Sequence, residues 1–273
     1  MKLSLCIQTP DVGPTVPVAL LSGTLDEKLD KAAKWGADGL ELITINPVEL
    51  DAAALRRSIE AYNLEVSAIA SGGMAFATGL TLLHSDPQKA EQAKSRMHDL
   101  IAFAAAMGAP IVTIGSFRGK AASVGEGARA RLASILREGA QDAAAKGVRL
   151  VIEPLNHYEN DLINNLNDAL AFTEEVGHAA LGVLIDTYHA TFEESSWTEP
   201  FRRAMAAGKL WHVHLGDNNR LPPGRGLVDF AAIVATLREI GYDKYLSAEL
   251  LPKPDADTAG LETLAYMRPL VES

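Results

Sequence analysis

Four residues of this sequence have the chemistry and the spacing to share one metal ion: Glu153, Asp186, His214 and Glu249, separated by 33, 28 and 35 residues. Each closes a short apolar run: Leu150-Val151-Ile152-Glu153, Val183-Leu184-Ile185-Asp186, Trp211-His212-Val213-His214 and Leu246-Ser247-Ala248-Glu249. Each interval is about one strand–helix unit, so four consecutive parallel strands would bring these groups to one level. Three carboxylates crowded there repel one another unless a cation neutralises them. Oxygen-rich ligation with a single imidazole suits Mn²⁺ first, with Mg²⁺ and Co²⁺ as alternatives, better than a thiolate-type zinc site. A lone strand-end glutamate is more often a cap or an ion-pair partner, and the recurrence on four strands is what favours a metal. His212 and His214 face the same side of their strand, with His214 about 6–7 Å nearer the strand's C-terminal end. His214 is therefore the expected ligand, and His212 an inward-facing histidine behind it or in the core.

Other polar residues follow the same strands. Glu159 lies six residues beyond Glu153, His189 three beyond Asp186 and Arg220 six beyond His214. They are expected on loops overhanging the strand ends, where a substrate with several hydroxyls needs directional partners. Arg118, with Lys120 nearby, follows the fourth strand and is a candidate for bidentate binding of a substrate carboxylate. Strand-end arginines also bind neighbouring backbone or acids. The stretch Ser71–Ser85 is long for its place and mixes Gly72, Gly73 and Gly79 with Met74 and Phe76, which suggests a lid, with a well-packed surface loop as the alternative.

The elements that must position these groups alternate strictly. Strands are expected at Leu3–Thr9, Gly39–Thr44, Glu65–Ala70, Pro110–Gly115, Arg149–Glu153, Gly182–Asp186, Leu210–Leu215 and Tyr245–Glu249. Between them, Thr24 can cap a helix over Leu25–Trp35 and Asp51 can start one ending at Tyr62. Asp86-Pro87 opens a long helix to Met107. Glu126–Lys146 ends at Gly147, Asn165 or Asn167 opens a helix closed by Gly177, and Asp229 opens one closed by Gly241. Ser195–Ala207 and Thr258–Val271 are the remaining helical segments. Eight such units with no break in composition predict a parallel sheet closed into a single-domain (β/α)8 TIM barrel over residues 1–273, with its site at the C-terminal ends of strands five to eight. An open doubly wound sheet would carry a glycine-rich phosphate loop after strand one, which Gln8-Thr9-Pro10-Asp11-Val12-Gly13 does not provide.

The 273 residues are 48 % hydrophobic with a net charge of −10 and a pI near 5.2. That balance argues against a partner bound through its phosphate backbone. The one cysteine, Cys6, lies in an apolar run and reads as a buried thiol. Met1-Lys2 leads straight into that run without a signal-peptide pattern, and no apolar stretch approaches the roughly 18 residues of a membrane span. A cytoplasmic protein without nucleic-acid or membrane partners is expected.

The segments Ile152-Glu153-Pro154-Leu155-Asn156-His157-Tyr158-Glu159, Asp186-Thr187-Tyr188-His189 and His212-Val213-His214-Leu215-Gly216-Asp217-Asn218-Asn219-Arg220 strongly resemble the ketose 3-epimerase (D-tagatose 3-epimerase) group of the xylose-isomerase-like barrels. Pro222-Pro223-Gly224-Arg225-Gly226 and Gly241-Tyr242 fit as well. The opening and Gly79-Leu80-Thr81-Leu82-Leu83-His84 look most like the 5-keto-L-gluconate epimerase branch. The resemblance implies Glu153, Asp186, His214 and Glu249 as ligands of one divalent metal. It also implies Glu153 and Glu249 as the acid/base pair, Glu159, His189 and Arg220 as substrate contacts, and a homodimer or homotetramer. His157 departs from the arginine often found there.

The chemistry agrees. A metal on a ketone oxygen and the adjacent hydroxyl stabilises the enediolate formed when the neighbouring carbon loses its proton. One carboxylate removes that proton, and a second, across the substrate, returns one to the opposite face. The expected substrate is a small sugar or sugar acid. Aldose–ketose or hydroxypyruvate isomerisation uses the same groups and is the runner-up, followed by a lyase or decarboxylase acting on an oxidised sugar. An abasic-site endonuclease would need more histidines and a basic face, and a non-catalytic sugar binder would not need both glutamates.

Overall fold

Thr24, Asp51, Asp86, Asn165, Asp229 and Asp255 each accept a hydrogen bond from a backbone N–H of the turn that follows, and at each the chain passes into a helix. Thr24 and Glu27 complete a capping box. Pro87 stands in the first turn of its helix, where no amide is needed. Gly108 and Gly177 end two helices in left-handed conformation.

The computed structural model describes residues 1–13 and 16–273. The strands are β1 (Lys2–Gln8), β2 (Gly39–Ile43), β3 (Glu65–Ala70), β4 (Ile111–Ile114), β5 (Arg149–Ile152), β6 (Leu181–Asp186), β7 (Leu210–Leu215) and β8 (Tyr245–Ala248). The helices are α1 (Leu25–Lys34), α2 (Ala52–Ala61), α3 (Pro87–Met107), α4 (Ala128–Ala145), α5 (Leu166–Val176), α6 (Thr187–Glu193), α7 (Glu199–Ala206), α8 (Phe230–Glu239) and α9 (Ala256–Glu272). The strands pair in parallel in chain order, and β1 pairs with β8 to close the barrel.

All eight expected strands form. Glu153 and Glu249 fall one residue beyond the paired segments of β5 and β8, at the strand-to-loop turn. The helix limits differ more. Asn165, not Asn167, caps α5. Gly127 has a left-handed backbone, so α4 begins two residues later than Glu126. Asp255 starts α9 ahead of Thr258. One helix was not expected: α6 begins at the residue after Asp186, with no intervening loop.

Outward-facing strand residues such as Leu5, Leu42, Ile114, Leu150, Ile185 and Val213 pack into a single core under the helices. Inside the barrel the filling is divided. Ala68, Ile111, Val151, Leu184 and Trp211 form an apolar cluster, whereas Ser4, Glu41, Ser67, His212 and Ser247 are buried polar residues of β1, β2, β3, β7 and β8. No helix among the described residues is long and apolar enough to cross a membrane.

Candidate active site

Asp186 is both the last residue of β6 and the N-cap of α6. One carboxylate oxygen accepts from the Tyr188 amide at 2.7 Å, and the other, Oδ2, is buried with no hydrogen-bond partner. Glu153 is fixed at its backbone, its N–H donating to Ile114 O at 3.1 Å. Its carboxylate lies where a Cβ at position 115 would stand, so only glycine at the end of β4 leaves room for it. His214 comes from within β7, paired in register with Asp186. Its Nδ1 lies 3.5 Å from Glu153 Oε1 and 3.6 Å from Glu249 Oε2.

One potential ligand atom from each of Glu153, Asp186, His214 and Glu249 lies within 4.8 Å of all the others. The structure thus brings together the four residues singled out by spacing. Glu153 Oε1, Asp186 Oδ2 and His214 Nδ1 are buried and unpartnered, a state that costs about 1–3 kcal/mol per polar group and more for a charged one. For the side chains alone, burial and then the charge of Glu153 push the Asp186 carboxyl up to about 8. Burial, opposed by His214 and reinforced by Glu153, also raises Glu249. Burial acts on Glu153 too, but the neighbouring His214 brings its carboxyl below the usual range. A divalent cation would relieve the crowding and satisfy all the orphaned atoms at once. Three oxygens and one imidazole nitrogen form a donor set suited to Mg²⁺ or Mn²⁺.

A further buried acid, the fourth around this centre, stands behind the imidazole. Glu41, on β2, accepts from His212 Nε2 at 2.9 Å and from His214 Nε2 at 3.1 Å. Burial opposes its charge, and the two imidazoles outweigh burial, holding the carboxyl well below its ordinary value. Sequence reasoning missed Glu41. Its one signal was a single charge inside the otherwise apolar strand Gly39-Leu40-Glu41-Leu42-Ile43. His212 faces inward behind His214, as expected.

Glu153, Glu249, Glu159, His189 and Arg220 line one narrow cleft at the four-residue cluster, with Gly72 and Phe76 also in its wall. His189 lies on α6 rather than on a loop. Its Nδ1 accepts from the Asn156 amide N–H at 3.2 Å and pairs with Asn156 Nδ2 at 2.8 Å. Nε2 therefore carries the proton; it lies buried and unpartnered. Burial lowers the imidazole to about 4, so a neutral donor is available to a ligand. Arg220 has a left-handed backbone, stacks over Tyr188 at 4.9 Å and reaches Glu249 Oε2 at 3.1 Å and Glu159 Oε2 at 3.5 Å.

Arg118 is not in the cleft, which corrects the expectation of a carboxylate fork. It is fully buried and gives five hydrogen bonds of 2.7–3.1 Å to the carbonyls of Gly115, Glu153, Leu162 and Ile163. It ties the loops after β4 and β5 together and has no donor left for a substrate. Lys120 is exposed on a wider outer cleft that shares Phe76, Ser116, Leu155 and Glu159 with the inner one. His157 pairs with Glu193 through its amide and Nδ1, at 2.7 and 2.5 Å, anchoring its loop to α6. The Ser71–Ser85 stretch is packed down. Met74, Leu82 and Leu83 are buried, and Leu82 and Leu83 donate to Phe117 and Arg118 carbonyls, while Phe76 stays half-exposed at the cleft edge. Cys6 is a buried free thiol, raised well above its ordinary value by burial first and by Glu41 next.

A family model described as xylose isomerase-like TIM barrel matches residues 29–270. The L-ribulose 3-epimerase of Methylomonas sp. (strain DH-1) is 30 % identical over 246 residues, covering 88 % of this chain and 82 % of that protein. The 2-oxo-tetronate isomerase of Cupriavidus necator is 26 % identical over 239 residues, covering 85 % and 90 %. The apo crystal structure of 3-keto-D-glucoside 4-epimerase from E. coli superposes with a TM-score of 0.82 at 23 % identity, covering 98 % of this chain and 100 % of that one. At that identity what is shared is the fold.

Proposed function

The chain belongs to the xylose isomerase-like TIM barrel family, and from that premise we propose that it is a divalent-metal-dependent epimerase that inverts the carbon beside the ketone of a ketose or keto-sugar acid. The observation that carries this reading is the convergence of unpartnered Glu153, Asp186 and His214 atoms with Glu249 beneath a polar cleft.

When bound by these four residues, Mn²⁺, or Mg²⁺ or Co²⁺ in its place, would draw electron density from the ketone and make the adjacent C–H acidic. Glu153 and Glu249 rise from strands three apart in the ring, so a small substrate lying between them meets one carboxylate on each face. One removes the proton and the other delivers one to the opposite face, and the configuration inverts. Their roles exchange with reaction direction. His189 Nε2–H and the Arg220 guanidinium are placed to hold substrate oxygens, and Glu159 to accept from a hydroxyl. With Arg118 engaged elsewhere, Arg220 in the cleft and Lys120 on the outer cleft are the cations nearest a substrate carboxylate. A homodimer or homotetramer belongs to the same reading, supported by exposed Tyr158 and Phe192 stacked edge to face near the mouth.

The test is NMR in D₂O with Mg²⁺-loaded protein and a panel of ketoses and keto-sugar acids. Deuterium should enter only at the inverted carbon, and chelation should abolish the exchange. Full activity in the chelated protein would end the metal reading. A label at the aldose–ketose position would replace epimerisation by isomerisation.

A further inference from the structure

A carboxylate in the middle of a barrel is expensive to desolvate, and an aliphatic side chain would fill the same space without that penalty. Glu41 is fully buried and has no lysine or arginine partner among the described residues. Its hydrogen bonds run to two imidazoles that reach it across the interior from β7, at 2.9 Å from His212 and 3.1 Å from His214. A carboxylate only accepts. Both Nε2 atoms must therefore carry hydrogens, and a neutral His214 must present a bare Nδ1. That nitrogen is the one facing Glu153 and Glu249, and it is unpartnered.

We infer that Glu41 is a positioning residue, which fixes the tautomer and ring plane of His214 so that Nδ1 is offered to the cation, and that His212 holds Glu41 in place. The inference rests on the metal reading above and goes beyond it by naming what sets the ligand atom. Carboxylates that accept from the distal nitrogen of a ligating imidazole typically alter metal affinity by about 10–100-fold when lost. Here one carboxylate is shared. His212 supplies the second N–H that keeps it from turning away from His214.

The experiment is Mn²⁺ titration calorimetry on wild type, Glu41→Gln and His212→Phe, with the thermal midpoint of each metal-free protein measured alongside. Glu41→Gln keeps the size but offers an NH₂ where one imidazole needs an acceptor. It should bind Mn²⁺ about 10–100-fold more weakly while remaining folded without metal, and His212→Phe should lose less. Unchanged Mn²⁺ affinity in folded Glu41→Gln overturns the inference and leaves the metal reading standing. Wild type that binds no divalent cation overturns both. Should Glu41→Gln fail to fold, long-range ¹⁵N–¹H spectra of Mg²⁺-loaded wild type decide. A proton on His214 Nε2 with a bare Nδ1 supports the inference, and a proton on Nδ1 refutes it.

Discussion

On the β1–β4 side of the barrel's C-terminal rim, polar side chains are occupied by the protein itself. Asp11 accepts from Thr44 and from the amides of Ile45 and Asn46, and Arg118 gives all of its hydrogen bonds to backbone carbonyls. The atoms left over there are neutral, Asn46 Oδ1 and Ser71 Oγ. On the β5–β8 side, Glu153, Asp186, His189 and His214 each keep one buried atom without a partner. Both sides hold acids and an arginine. What separates scaffold from site is whether ionisable atoms remain unsatisfied, since burying them so is tolerable only if something else completes them.

That contrast can be broken by substitutions on either side. The largest effect should come from Glu153→Gln or Glu249→Gln, each lowering kcat for epimerisation by about 10²–10⁴-fold, the range of a lost general acid or base. Single-turnover assays would show it, and a near wild-type rate in either variant would remove that residue from the chemistry. Arg118→Met should act on stability instead. Gly115 O and Ile163 O keep the backbone amides of Arg118 and Leu155, but the carbonyls of Glu153 and Leu162 lose their guanidinium donors. At roughly 1–3 kcal/mol per unsatisfied group, a loss of about 3 kcal/mol should appear as a lower urea midpoint. A folded Arg118→Met protein impaired only on keto acids would restore the carboxylate fork.

Arg220→Met reverses the pattern. Loss of a charge-assisted contact of about 1.5–3 kcal/mol should lower kcat/KM for neutral and acidic substrates alike, roughly 10–100-fold, with a urea midpoint that falls less than that of Arg118→Met. A stability loss as large as that of Arg118→Met would erase the distinction between the two arginines. The smallest effect belongs to Thr24→Ala on the β1–β4 side. Removing this cap should cost about 1 kcal/mol in the same urea assay and leave the rate per folded molecule unchanged.

The barrel was legible because each strand is a short apolar run and most of the helices, all but α4 and α7, have a side-chain cap. The four clustered residues were legible because near-equal spacing converts into neighbouring strands. Glu41 was not, since its partners lie 171 and 173 residues away across the barrel and a lone charge in an apolar strand does not say what it meets. Arg118 shows the opposite failure. Its type and position matched a substrate contact, but whether its donors were free depended on carbonyls contributed by residues 115, 153, 162 and 163. The short helix α6 was hidden because its cap, Asp186, is at the same time the last residue of β6.

That double duty of Asp186 bears on how such a protein could be re-engineered. A designer seeking a softer metal would exchange an oxygen ligand for nitrogen or sulfur, and Asp186→His is an obvious choice. The same exchange removes the oxygen that starts α6, and α6 carries His189 into the cleft. Metal preference and substrate grip are therefore inherited together at this position. Glu249 follows a strand that leads into loop and caps no helix, but its ion pair with Arg220 and its place in the cleft tie the two properties together there as well.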